Sequence, residues 1–182
     1  SSLDFSTEIN QGSDTNYLDS GSINQNLSGG YTTSVWIYLS DKTAAGMAYV
    51  VYPRLAFMNF AAAGFGTPSQ IYIGPRTSSH LTGYLLSYAT PIAKWIHFSI
   101  SYDGSNNLRI YIDGKLNQTV VVGAAILGTT AQQVTIGNEG ASSLHFIKGL
   151  MDELAIYNSV LTADAIQNIY AEGIARHTLA GR

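Results

Sequence analysis

A chain of 182 residues with 46% hydrophobic and only 12% charged residues has the length and apolar content of one compact domain, and is too short for two of ordinary size. Its nine basic and twelve acidic residues give a net charge of -3 with no cluster of Lys or Arg, which excludes nucleic acid as a partner. The absence of cysteine removes disulfides, thiolate nucleophiles and zinc-thiolate sites together and leaves the redox compartment open.

The charged fraction is about half the ~25% usual for soluble domains. The surface must therefore be covered largely by Ser, Thr, Asn, Gln, Gly and Tyr, which suits an extracellular, cell-surface or virion-surface protein. The longest apolar run, Val120 to Leu127, is far below the ~20 residues of a transmembrane helix, so no membrane insertion is expected. Ser1-Ser2-Leu3-Asp4 lacks the charged and apolar regions of a secretion signal, and the chain reads as a mature or excised soluble domain spanning 1–182.

Period-2 alternation predicts strands at Thr33 to Leu39, Ala48 to Tyr52, Ala56 to Phe60, Ile71 to Gly74 and Tyr84 to Tyr88. The Gly- and Ala-rich stretch Ala61 to Pro68 reads as a loop, because patterned strands resume after it. The clearest strand is Trp95 to Tyr102, with Ile96, Phe98, Ile100 and Tyr102 on one face and His97, Ser99 and Ser101 on the other. Asp103 to Asn107 supplies a turn, and Leu108 to Ile112 returns as its antiparallel partner. Counting out from that turn pairs Tyr102 with Leu108, Ile100 with Ile110 and Phe98 with Ile112. The dipeptide Asp113-Gly114 suits a hairpin with positive φ.

Thr119 to Val122, Val134 to Gly137 and Leu150 to Tyr157 complete the strands, and this many short strands predict an all-β, two-sheet antiparallel jelly-roll sandwich. One short C-terminal helix follows. Thr162 is its N-cap, Asp164 lies in the first turn, Ile166, Ile169 and Tyr170 share a face, and Gly173 stands as the C-cap. These signals predict a helix over 163–172 and a loosely held tail from Ile174.

Signatures of enzymes are absent. There is no G-x-S-x-G elbow, P-loop, H-E-x-x-H helix or EF-hand loop, and the histidines at 80, 97, 145 and 177 never fall at a short metal-binding spacing. A glycosidase needs two carboxylates across the scissile bond, whereas the acids here stand singly apart from Asp152-Glu153. Neighbours on a regular strand point to opposite faces. Alternation sets Asp152 beside Leu150, Leu154 and Ile156, and a carboxylate among core positions must be hydrogen-bonded, paired or bound to a metal. Loop amides satisfy this requirement; so does Ca²⁺, a hard cation that takes carboxylate and carbonyl oxygens.

Several blocks together resemble a known family. They are Leu3-Asp4-Phe5 with Asn16-Tyr17-Leu18, Tyr31 to Ile37, Lys94 to Phe98 with Tyr102-Asp103-Gly104, Leu108 to Gly114, Thr135 to Asn138, and Gly149 to Ser159 with Leu161-Thr162. In this order they resemble the bacterial laminin-G-like group of concanavalin A-like lectin/glucanase domains, from about residue 3 to residue 173. The resemblance implies a jelly roll with one concave sheet, the first and last strands as neighbours, and the helix packed outside. It also implies a structural Ca²⁺ held by Asp152 and carbonyls near the N terminus. The family's N-terminal F-D-G-x-x-D-Y is replaced by Phe5-Ser6-Thr7 and an insertion, and the catalytic carboxylates of glucanase relatives have no counterpart.

The function expected from these readings is a non-catalytic carbohydrate-binding or adhesion module. Tyr72, His97 and Tyr111 alternate with the core residues of their strands, and would line a groove for a glycan if those strands form the concave sheet. A structural or protein-interaction domain displayed on a virion or cell surface fits the same polar composition. A glycan-degrading enzyme would require the fold to gather distant acids such as Glu139, Glu153 and Asp113.

Overall fold

The structure is a computed structural model, and it describes residues 18–23, 29–39, 47–52, 57–61, 70–74, 84–88, 91, 93–121, 132–136 and 149–179. Expectations for residues 1–17, most of the Gly- and Ala-rich loop, Asn138 and Glu139 lie outside the described residues. Eleven strands run β1 (Leu18–Ile23), β2 (Tyr31–Leu39), β3 (Met47–Tyr52), β4 (Phe57–Ala61), β5 (Gln70–Gly74), β6 (Tyr84–Ser87), β7 (Trp95–Tyr102), β8 (Asn107–Ile112), β9 (Lys115–Val121), β10 (Gln132–Ile136) and β11 (Gly149–Tyr157), followed by α1 (Ala163–Leu179).

They form two antiparallel sheets, a six-stranded one in the order β1-β10-β3-β4-β5-β6 and a five-stranded one in the order β11-β2-β7-β8-β9. This is the expected all-β sandwich. The last strand, β11, pairs with β2, the first strand predicted from the sequence, while β1 pairs with β10 in the other sheet; the Leu3-Asp4-Phe5 block lies outside the described residues. The β2–β11 register sets Met151 opposite Ile37 and Ile156 opposite Thr33, so that inward residues meet inward residues across the pair.

The inward face of the five-stranded sheet is a continuous apolar layer. Val35 and Ile37 of β2, Ile96, Phe98 and Ile100 of β7, and Leu108 and Ile110 of β8 are all buried, and burying each such side chain stabilises the fold by about 1.5–3 kcal/mol. The pairing counted from the sequence holds: Phe98 faces Ile112, Ile100 faces Ile110 and Tyr102 faces Leu108. Period 2 and a short turn are enough to set that register.

The turn is closed by Asp103. Its Oδ1 accepts the backbone N–H groups of Ser105, Asn106 and Asn107, each at 3.0 Å, and Oδ2 accepts from Asn107 Nδ2 at 2.6 Å. Desolvation opposes ionisation there, yet the donors from Asn107 and Ser105 outweigh it and hold the carboxyl well below the usual carboxylate range. The next hairpin has Asp113 at φ 49 and Gly114 at φ 73, the left-handed pair that a tight two-residue turn requires.

Candidate functional site

The outward face of the same sheet carries Thr32, Ser34 and Trp36 of β2 with Ser99 and His97 of β7, and all five are buried. Helix α1 lies across this face. Thr162 caps it as expected, its Oγ1 accepting the Ala165 N–H at 3.2 Å. Thr32 holds the approach, since Oγ1 donates to the Ser159 carbonyl at 3.0 Å and accepts the Leu161 N–H at 2.9 Å. The helix continues through Gly173 to Leu179, which corrects the expected end at 172 and the loose tail. Gly173 is a point of contact instead of a cap: a Cβ there would come within 2.8 Å of Trp36 Cε2.

Trp36 is the centre of this contact. Its indole is stacked against Tyr170 at 5.5 Å and 19°, and against His177 at 4.4 Å and 29°. Tyr170, Gly173 and His177 are therefore one stripe at i, i+3 and i+7, the face of a helix that a sheet can cover. His177 also packs against Trp95 at 4.6 Å, and Trp95 against Tyr38 at 5.6 Å.

His97 lies beneath this layer, fully buried, with its ring 5.2 Å from Trp36 and 5.9 Å from Tyr170. Ser99 Oγ donates to Ser34 Oγ at 3.1 Å, and Ser34 Oγ is 2.8 Å from His97 Nε2. The Ser34 hydroxyl is the hydrogen-bond partner of Nε2, whereas Nδ1 meets no hydrogen-bond partner among the described residues. Burial, and after it the charge of His177, push His97 down to about 4. The ring is neutral at physiological pH.

The acidic pair of β11 also departs from the alternating pattern. The β2–β11 register shifts between Asp152 and Ala155, and Glu153 adopts a left-handed φ of 51, so a bulge interrupts alternation. Both carboxylates engage the last turn of α1: Asp152 Oδ2 lies 3.7 Å from His177 Nε2, and Glu153 forms an ion pair with Arg176. Asp152 stands opposite Trp36 on the helix side, whereas Ile156 stands opposite Thr33 on the core side. The expectations that Asp152 shares a face with Ile156, and that the two acids point apart, are corrected accordingly. Burial lowers the pKa of His177, against the pull of Asp152 and Glu153.

Asp152 Oδ1 is taken by the Glu153 N–H at 2.7 Å. Among the described residues no three His, Asp or Glu side chains converge as metal ligands, and Oδ2 faces the His177 imidazole, a group that Ca²⁺ does not favour. The described residues do not assemble a calcium donor set around Asp152.

The expected glycan residues are separated. Tyr72 lies on β5 in the six-stranded sheet, opposite Asn59 and Leu85, whereas His97 and Tyr111 lie on β7 and β8 in the other. His97 and Tyr111 do share the non-core face, Tyr111 standing opposite Ser99, but both are buried and His97 is beneath α1. An open groove lined by these two residues is therefore not what the structure shows. The sequence signal for this cluster is the helical spacing of Tyr170, Gly173 and His177, which the apparent C-cap at Gly173 hides, while Trp36 reads only as one residue of an alternating strand.

The β8–β9 hairpin end borders this layer, with Gly114 against Tyr170 and with Asp113 and Tyr170 each part-buried. Asp113 is pinned from both sides, its Oδ1 accepting the His97 N–H at 3.0 Å and its own N–H donating to the His97 carbonyl at 2.8 Å. This arrangement can accept and donate hydrogen bonds beside aromatic rings; it provides no nucleophile with an adjacent base open to solvent.

Two antiparallel sheets with a helix across the outer face define a lectin-like β-sandwich. A laminin G family model, described as the concanavalin A-like lectin/glucanases superfamily, matches residues 11–167, and the chain belongs to that family. The fold is similar to that of a native heptameric SAP-like pentraxin from Limulus polyphemus, with a TM-score of 0.70, 13% identity, and coverage of 90% of this chain and 79% of that one. It is also similar to domain 4 of a GH43 extracellular arabinanase from Geobacillus stearothermophilus, solved with arabinotriose, with a TM-score of 0.63, 18% identity, and coverage of 85% and 72%. The binding domain of botulinum neurotoxin DC, solved with rat synaptotagmin II, has a TM-score of 0.62 at 14% identity, over 81% of this chain and 37% of that one. In sequence, the chain is 25% identical over 95 residues to the adhesion G-protein coupled receptor D1 of Homo sapiens, a match covering 51% of this chain and 11% of the receptor. No helix among the described residues is long and apolar enough to cross a membrane.

Proposed function

We propose that this chain is a non-catalytic, extracellular glycan-binding or adhesion module. The observation that carries the reading is the engagement of the described carboxylates near the helix and turns. Asp103 closes a turn, Asp113 holds a backbone amide, and Asp152 and Glu153 face His177 and Arg176. A glycosidase needs two carboxyls facing a common open cleft, and these four are occupied separately. The family supports the reading, and the arabinotriose-bound neighbour supports a carbohydrate in particular.

Purified protein run through gels containing arabinan, laminarin or galactomannan is expected to be retarded by at least one of them, with no reducing ends released on prolonged incubation. Reducing ends released by the wild type and lost on a point substitution in this domain would refute the non-catalytic part. Binding to a protein partner but to none of the polysaccharides would replace the glycan with a display function.

Structural calcium at Asp152 is a separate proposal, in which oxygens beyond the described residues complete the shell. EDTA is then expected to lower the melting temperature of the wild type but not of Asp152→Ala, since a ligand of the native state stabilises it by mass action. Wild-type melting curves that coincide with EDTA and with added Ca²⁺ would exclude it.

A further inference from the structure

β9 is the terminal strand of the five-stranded sheet, so its edge away from β8 has no strand partner among the described residues. Every side chain of β9 except the half-buried Val120 is exposed. The strand is therefore open on both faces, although α1 lies across the outward side of the same sheet. Among the described residues three large apolar side chains are exposed, and two of them, Leu116 at 53% and Val121 at 67%, belong to β9.

A bulge brings these two to one face. Five residues apart, they would point to opposite faces of a regular strand. The β8–β9 register shifts so that Asn117 is the extra residue, with Leu116 opposite Tyr111 and Gln118 opposite Ile110. Beyond the bulge Thr119 stands opposite Arg109 and Val121 opposite Asn107. Tyr111, Arg109 and Asn107 alternate along β8 on its outward side, so Leu116, Thr119 and Val121 form an outward row in the order apolar, hydroxyl, apolar.

That row is self-complementary. Turned antiparallel on a copy of itself about a two-fold axis at Thr119, β9 sets Leu116 of each copy opposite Val121 of the other and Thr119 opposite Thr119, all on the outward side. Apolar and hydroxyl cross-strand pairs of this kind stabilise a sheet. Charge does not oppose the pairing, because the strand carries Lys115 alone, at the hairpin end, and the two copies of Lys115 then stand at opposite ends of the joined strands. Proteins that stay monomeric protect such an edge with Pro, with charges along the strand or with a cover; β9 has no Pro and no acid. The backbone groups of the edge suit any extended chain, and the row of side chains selects a second copy of this one.

We propose that β9 is a homodimerisation edge, through which two copies join their five-stranded sheets into one continuous sheet about a two-fold axis at Thr119. An edge of seven residues buries less surface than a standard interface, so the dimer is weak and reversible. The surface is independent of the ligand that the module binds.

Sedimentation equilibrium is expected to show the wild type predominantly dimeric at about 1 mM and increasingly monomeric on dilution to about 5 µM. Leu116→Lys combined with Val121→Lys sets Lys against Lys at both ends of the row; since both positions are exposed, this variant should melt like the dilute wild type yet stay monomeric at about 1 mM. The chain has no cysteine, so Thr119→Cys gives a second readout. Two cysteines directly opposed on the axis lie within disulfide reach, and mild oxidation should link copies at least 10-fold faster than it links Gln167→Cys, which stands on an exposed position of α1. A wild type that is monomeric at about 1 mM, a dimer that survives the double Lys substitution, or equal cross-linking rates for the two cysteines would each overturn the proposal.

Discussion

Lowering the pH from 7.5 to 4.5 is expected to remove about 2–3 kcal/mol of folding stability, with His97 as the main source. Its pKa in the folded protein is about 4, against 6.5 for the free side chain. Between those values the unfolded chain binds the proton and the folded chain does not. The contribution is thus complete above about pH 6.5, declines as the pH falls, and levels off below about 4. His177, lowered chiefly by burial, acts in the same direction.

The structure explains why the folded protein resists this proton. A protonated ring carries two N–H donors, and only Nε2 has a partner, the Ser34 hydroxyl at 2.8 Å, whereas Nδ1 meets no acceptor among the described residues. The rings around it belong to Trp36 on β2 and Tyr170 on α1. Of the carboxylates packed against this layer, Asp113 is engaged with the His97 backbone, and Asp152 and Glu153 face His177 and Arg176. Urea unfolding followed by tryptophan fluorescence, at pH 7.5, 6.5, 5.5 and 4.5, should show the decline in the wild type. His97→Gln, which keeps an acceptor for Ser34 and does not titrate, should flatten it. Equal pH slopes in the two proteins would place the acid sensitivity outside His97.

Gly173→Ala is expected to destabilise the protein by about 1–3 kcal/mol, the range for overpacking a tight contact. At an open helix position the same change gains up to about 1 kcal/mol, so the sign identifies the mechanism. The added methyl would meet Trp36 Cε2 at 2.8 Å and Cζ2 at 2.9 Å, and the indole cannot slide away because Tyr170 and His177 stack against it. Either α1 lifts from the sheet or the stack opens. Thermal melts should show a fall of several degrees, at roughly 2–4 °C per kcal/mol for a domain of this size, with a change in the near-ultraviolet tryptophan dichroism. A raised melting temperature would show that the indole yields and that the helix is not held at this point.

Much of the sheet was legible in the sequence. β7 was predicted as Trp95 to Tyr102, with the boundaries it has in the structure, because period 2 over eight residues is a strong signal. The β7–β8 register followed from the short turn. The start of α1 at Ala163 followed from the Thr162 cap. β1 was missed, since Leu18-Asp19-Ser20-Gly21-Ser22-Ile23 shows no apolar alternation and becomes a strand through its pairing with β10.

What the sequence determined by itself was local: which residues alternate, where a turn or cap falls, and which side chains share a sheet face. The tertiary structure decided what lies over each face. His97 and Tyr111 were assigned to the non-core side of their sheet, but α1 comes from residues 163–179, far along the chain, and no local rule shows that it covers His97. Gly173 reads as a cap when only its neighbours in sequence are considered, and as a close approach once Trp36 is above it. The Asp152-Glu153 pair follows alternation until Arg176 and His177 arrive on α1 and the strand bulges to bring both carboxylates to them. Backbone periodicity is a property of consecutive residues, whereas covering a face, displacing a side chain and pairing a charge require a partner that only folding brings near.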